Sequence, residues 1–189
     1  MKRASIAGLG AIAIIAAVPF VSTIPGFTAL HDIGEAIAQT INPAKVDLRL
    51  TADKQVVEKD QQGKENVTWQ ALQGNVVVQP GNVIRYRVLG ENSSDRPVKK
   101  LSITQPVPKQ TIYVLNSAMT TQNSGVNTVY SIDNAKTFVE KPTVQVKLPN
   151  GEVETKPAPA EAYTHVRWSF SEPIAAQTKV AAAYQVKVR

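Results

Sequence analysis

Cysteine is absent from all 189 residues. That excludes disulfides, cysteine-ligated zinc and a lipobox attachment point for a lipid anchor. Histidine is almost absent, with two copies, His31 and His165. A lone histidine without cysteine completes neither a zinc site nor a well-supported Ser-His-Asp relay. The chain also lacks G-x-S-x-G, H-E-x-x-H and P-loop patterns. Beyond the first 38 residues, no segment carries apolar residues at a convincing 3.6-residue period with caps, so helical architectures are not expected there.

What is present begins with the leader. Met1-Lys2-Arg3 supplies positive charge, Ala4 to Leu30 carries none, and Ala36-Ile37-Ala38 offers a small-x-small tripeptide before Gln39. This order is that of a bacterial-type signal peptide, predicted to be cleaved after Ala38. The uncharged run is long enough for a retained anchor, but Pro19 and Pro25 interrupt it, which favours cleavage. Gly26-Phe27-Thr28-Ala29-Leu30 resembles a type IV pilin processing site, yet the apolar run precedes it rather than follows it. The expected organisation is therefore a signal peptide at 1–38 and one domain at 39–189, a typical single-domain length. No stable membrane span is expected in the mature chain.

Lys2 and Arg3 offset Asp32 and Glu35, so the formal charge of +6 stays on the mature domain. With a pI near 9.6, an exported protein is expected to meet anionic polymers or lipid head groups before nucleic acid. The plainer reading of that charge is colloidal solubility.

Nearly every segment after Lys45 alternates with period two, the pattern of half-buried strands. Val46, Leu48 and Leu50 oppose Asp47 and Arg49, and Ile84, Tyr86 and Val88 oppose Arg85 and Arg87. Val144, Val146 and Leu148 lead into Pro149-Asn150-Gly151, and Val166, Trp168 and Phe170 alternate with His165, Arg167 and Ser169. The last strand places Val180, Ala182, Tyr184, Val186 and Val188 inward. Pro80-Gly81-Asn82, Glu91–Asp95 and Asp133-Asn134 supply turn chemistry between the runs. Short strands at this spacing predict an all-β, antiparallel sandwich, and Lys156–Glu161 reads as a loop inside it.

Two segments carry a family resemblance. Gln79 to Ala118 (QPGNVIRYRVLGENSSDRPVKKLSITQPVPKQTIYVLNSA) is similar to the conserved-repeat domain of unknown function found in bacterial surface proteins. The likeness runs from its PG turn and alternating strand to a proline-rich strand end. Val166 to Val188 (VRWSFSEPIAAQTKVAAAYQVKV) resembles the closing W-x-L…F-x-V-x-V stretch of that family. The resemblance implies an immunoglobulin-like sandwich in the envelope or outside the cell. It is silent about chemistry. The overall style, with an extended N-terminal strand and the T-A-D-K-Q segment at Thr51–Gln55, also resembles small exported cyanobacterial proteins. Gln105 stands where the family often has Asp, and Ala175-Ala176 replaces its P-G turn. Any cation contact made by that Asp is not carried over.

Few residues invite a chemical role. Ser131-Ile132-Asp133-Asn134-Ala135-Lys136-Thr137-Phe138 has the shape of an Asp-box with two substitutions. Asp133 is expected to accept backbone N–H groups at a turn and Phe138 to return to the core. His165 is expected to be a solvated strand residue, and Glu152 and Glu154 solubility charges. Strand parity turns Arg85, Arg87, Arg167 and Lys187 outward, with Lys179 and Arg189. If their strands share one sheet, its outer face is basic and suits sulfated or carboxylated polysaccharide. Charges that guard strands against aggregation give the same pattern. Aromatics do not interleave with the charges, which argues against a nucleic-acid platform.

The sequence thus predicts an exported, non-catalytic β-sandwich of the periplasm, cell surface or medium, with a structural or binding role. It needs no cofactor or metal, and its partners would be an envelope polymer, an anionic polysaccharide or another envelope protein. A carbohydrate-binding module, with Trp69 as its one candidate platform, is the alternative. A hydrolase is a remote third that requires a deep polar pocket around His165.

Overall fold

A computed structural model describes residues 15–16 (backbone only), 45–74, 77–121 and 125–189. The cleavage position after Ala38 lies outside these residues. The chain order is β1 (Ile15–Ala16), β2 (Val46–Lys59), β3 (Glu65–Ala71), β4 (Val83–Asn92), β5 (Ser102–Pro106) and β6 (Thr111–Tyr113). There follow β7 (Met119–Thr120), β8 (Val126–Ser131), β9 (Thr143–Lys147), β10 (Val153–Pro157), β11 (His165–Phe170) and β12 (Lys179–Val188). A single 3₁₀ turn, Ala160–Ala162, interrupts the loop after β10. The all-β expectation holds, and among the described residues no helix is long and apolar enough to cross a membrane.

Two antiparallel sheets share the core. One has the order β3-β2-β4-β12-β6, with β7 also on β12; the other has the order β1-β5-β11-β8. The inward residues of β4 (Ile84, Tyr86, Val88), β11 (Val166, Trp168, Phe170) and β12 (Val180, Ala182, Tyr184, Val186, Val188) are all buried, as their alternation predicts. Burying one face of each sheet fixes this parity, because a one-residue slip would turn every apolar side chain to water. Val46, Leu48, Leu50 and Ala52 of β2 pack on the same core. Among the described residues, every buried member of that cluster lies between Ile84 and Val188.

Aromatic rings join the sheets. Trp168 on β11 approaches Tyr184 on β12 at 6.1 Å, and Tyr184 stacks on Tyr86 of β4 at 5.5 Å. The Tyr184 hydroxyl donates to the Pro106 carbonyl of β5 at 2.6 Å, crossing from one sheet to the other. Tyr113 continues the cluster to Tyr163 and Tyr130 at 5.0 and 5.6 Å. Removing the Trp168 side chain from such packing costs about 3–5 kcal/mol.

Turn chemistry falls where the sequence puts it. Gly151 adopts φ +88 and bonds back to Leu148, a left-handed position that a Cβ strains. Gly90 has a different reason: a Cβ there would lie 3.2 Å from Val180 and 3.3 Å from Leu48, so β2, β4 and β12 meet closely only without one. Between β11 and β12, after Ala175-Ala176, Gln177 adopts a left-handed backbone at φ 58.

One strand behaves unlike its pattern. Val144, Val146 and Leu148 were expected to line a core, yet β9 pairs with β10 alone, in a separate two-stranded sheet. Val146 and Val153 are 36% and 60% exposed. The alternation is real, but β9 and β10 pair only with each other, so Val146 and Val153 stay exposed while Val144 and Leu148 are half-buried.

Candidate functional site

The outward residues of β2, β3 and β4 assemble the most concentrated polar cluster. Asp53 stands across from Arg85 in the β2–β4 register, and Thr51 stands across from Arg87. Arg87 grips the carboxylate with two nitrogens, Nε to Oδ2 at 2.9 Å and Nη2 to Oδ1 at 3.1 Å. Arg85 adds Nη2 and Nε to Oδ2 at 3.1 and 3.3 Å. Asp53 is only 3% exposed although it sits on the outer face. Its desolvation is offset by these charge-assisted bonds. The Arg85 guanidinium also lies 4.1 Å from the Trp69 ring centre, a cation–π contact.

The four basic residues expected on one face do not share one. Arg85 and Arg87 lie on β4 and Lys187 on β12, all in the six-stranded sheet, whereas Arg167 lies on β11 in the other sheet. Parity told which way each side chain points but not which sheet its strand joins. Arg167 instead donates Nε to Thr104 at 2.9 Å and covers the Phe138 ring at 3.6 Å. That also corrects the place of Phe138, which is half-buried beneath Arg167 rather than returned to the core. On the six-stranded face, the Arg87 side chain remains 50% exposed beside its ion pair. Lys187 is exposed, and Lys179 pairs with Glu91 at 3.4 Å.

Sequence reasoning missed two polar residues of consequence. Asp53 carried no signal until the register put it beside two arginines. Asn92, read only as part of a turn, is fully buried at the end of β4. Its Nδ2 donates to the carbonyls of Arg96, Ile174 and Ala175 at 2.8, 3.1 and 2.9 Å, closing one end of the sandwich.

The Ser131–Phe138 segment is a turn organised on Asp133 and tied to Thr164 through the Asn134 N–H at 3.1 Å. Asp133 accepts from the Lys136 and Thr137 backbone N–H groups at 3.1 and 3.0 Å and from the Ser131 and Thr137 hydroxyls at 2.7 and 2.6 Å. The Thr137 bonds contribute most to holding its carboxyl well below the usual range. The capping role expected of Asp133 is what the turn uses. His165 begins β11 half-buried, with Nδ1 3.1 Å from the Thr164 hydroxyl. Burial, and next the Arg167 charge, hold its pKa below the ordinary value against an opposing pull from Asp133. Glu154 pairs with Lys156 at 3.0 Å, and Glu152 accepts from Asn150 at 2.8 Å.

Among the described residues, no group of three or more His, Cys, Asp or Glu side chains is placed to hold a metal ion. A recess of about 280 Å³ lined by Lys54, Gln70, Ala71, Leu72 and Gln73 lies at the end of β3. It contains neither His165 nor Asp133.

Compared with family models, curated proteins and solved structures, the chain matches none.

Proposed function

We propose that the chain is an exported, non-catalytic module of the cell envelope or extracellular space, an immunoglobulin-like sandwich with a structural or binding role. The leader order supports export, and the two facing antiparallel sheets support the sandwich. The split of β11 and β12 between sheets departs from the constant-type immunoglobulin arrangement, in which the last two strands share a sheet. The observation that carries the non-catalytic reading is how completely the chemically versatile side chains engage one another. Asp53 is held by Arg85 and Arg87, Asp133 by its own turn, and Arg167 by Thr104 and Phe138.

A second reading, binding of an anionic polysaccharide, is favoured by the exposed half of Arg87 and by Lys187 on the outward face of the six-stranded sheet. Asp53 removes one unit of charge from that face, which leaves a weaker site than four convergent cations would make. A neutral-sugar platform at Trp69 is disfavoured, because Arg85 already covers one face of the ring. The test is retention of residues 39–189 on a sulfated-polysaccharide matrix at low salt. An Arg87→Glu/Lys187→Glu variant that elutes early, beside a Lys54→Glu/Lys59→Glu control that does not, establishes a binding face. Equal losses in both variants leave the structural role alone.

A further inference from the structure

We propose that Asn150-Gly151, at the tip of the β9–β10 hairpin, is a self-modification site. Its side-chain amide is lost as ammonia through a cyclic imide, which leaves aspartate or isoaspartate. The chain has ten asparagines, and Asn150 is the one followed by glycine. A Cβ on the following residue hinders approach of that residue's backbone nitrogen, and glycine has none. Asn150 and Gly151 are both exposed, and a Cβ built on Gly151 would meet nothing within 4 Å, so water has free access to the pair.

The turn also orients the reacting groups. The Glu152 N–H donates to Asn150 Oδ1 at 3.1 Å, and Asn150 Nδ2 donates to the Glu152 carboxylate at 2.8 Å. Oδ1 is the atom that turns negative when a nucleophile adds to Cγ, so a donor already stands where charge develops. The nucleophile, the Gly151 nitrogen, donates its hydrogen to the Leu148 carbonyl at 2.9 Å. That bond belongs to a two-stranded hairpin paired with no other strand, an arrangement of marginal stability that opens locally. Asn92 is the opposite case, fully buried with its Nδ2 on three carbonyls. Once the Leu148 bond opens, the Gly151 nitrogen gives its proton to hydroxide and bonds to Asn150 Cγ. The Cγ–Nδ2 bond then breaks, and Nδ2 leaves as ammonia with a proton from water. Water opens the imide at either carbonyl, so one amide and one water become one acid and one ammonia. The product adds a carboxylate beside Glu152 and Glu154, and isoaspartate also lengthens the backbone of the turn by a methylene.

The test is to hold the full chain at neutral and at mildly alkaline pH while following ammonia release and mapping its peptides by mass. Conversion at Asn150 should run ahead of the other nine asparagines and should quicken with pH, since hydroxide takes the proton. Gly151→Ala should slow ammonia release at least several-fold by crowding the nitrogen. Asn150→Gln should do the same without touching the glycine, because its longer side chain closes a larger ring. In converted protein, amides of residues 143–157 should exchange faster while those of β11 and β12 keep their protection. Earlier conversion at another asparagine overturns the proposal, as does a Gly151→Ala variant that releases ammonia as fast as the parent. An Asn150 that persists in the folded chain while a free peptide of residues 147–154 converts also overturns it, because the turn is then a shield.

Discussion

Gln105 is fully buried, and among the described residues neither atom of its side-chain amide meets a hydrogen-bond partner. The indole N–H of Trp168 on neighbouring β11 is in the same condition. A buried polar group left unpaired costs about 1–3 kcal/mol. Gln105→Leu, close in volume, should therefore raise the thermal midpoint of the domain, and Gln105→Glu should lower it steeply by burying a charge. A fall in midpoint for the leucine variant would mean that the amide is bonded in solution. Asp133 makes the opposite kind of residue-level prediction. Its folded pKa lies below its ordinary value of 3.8, so its contribution to stability is complete above that value and fades as pH falls further. Asp133→Asn should be less stable than the parent in urea at pH 6, and the gap should narrow as pH drops below 3.8. A gap that stays constant with pH would assign the effect to turn geometry rather than charge.

Between strands, the β2–β4 seam is the place where removing one partner hurts most. Asp53 is 3% exposed and is held by two guanidinium groups. The Arg85→Ala/Arg87→Ala pair should cost about 3–5 kcal/mol, the usual penalty for an orphaned buried charge. Adding Asp53→Ala should recover much of that loss in a urea titration. If the triple variant is no better than the double, the arginines contribute packing on Trp69 rather than neutralisation. None of this was legible in the sequence, since Asp53 and Arg85 lie far apart along the chain and only the register joins them. What was legible is parity: Ile84, Tyr86, Val88, Trp168 and Tyr184 face inward because burial of one sheet face leaves no alternative. Parity is blind to sheet membership, which is why Arg167 was grouped with Arg85, Arg87 and Lys187. It is equally blind to whether a strand reaches the core at all. Val144 and Val146 alternate like core residues and sit on a separate two-stranded hairpin.

At the level of the whole molecule, the leader reading makes one direct prediction. Protein recovered from its native envelope should begin at Gln39 on N-terminal sequencing, and an intact Met1 in membrane fractions would establish an anchor instead. The sandwich itself was legible from period-two runs and turn residues. Its strand order was not, because pairing partners distant in sequence leave no local trace.

In the larger sheet β12 lies between β4 and β6 and also pairs with β7, and its partner β4 precedes it by roughly a hundred residues. β11, central in the other sheet, immediately precedes it. While the chain emerges from the ribosome, β2 and β4 have each other, but β4 lacks β12 on its other side and β5 and β8 lack β11 between them. The core therefore closes only once β11 and β12 have been made. A polypeptide that postpones closure in this way stays threadable until those strands emerge, the condition a chain must meet to pass through a narrow pore unfolded.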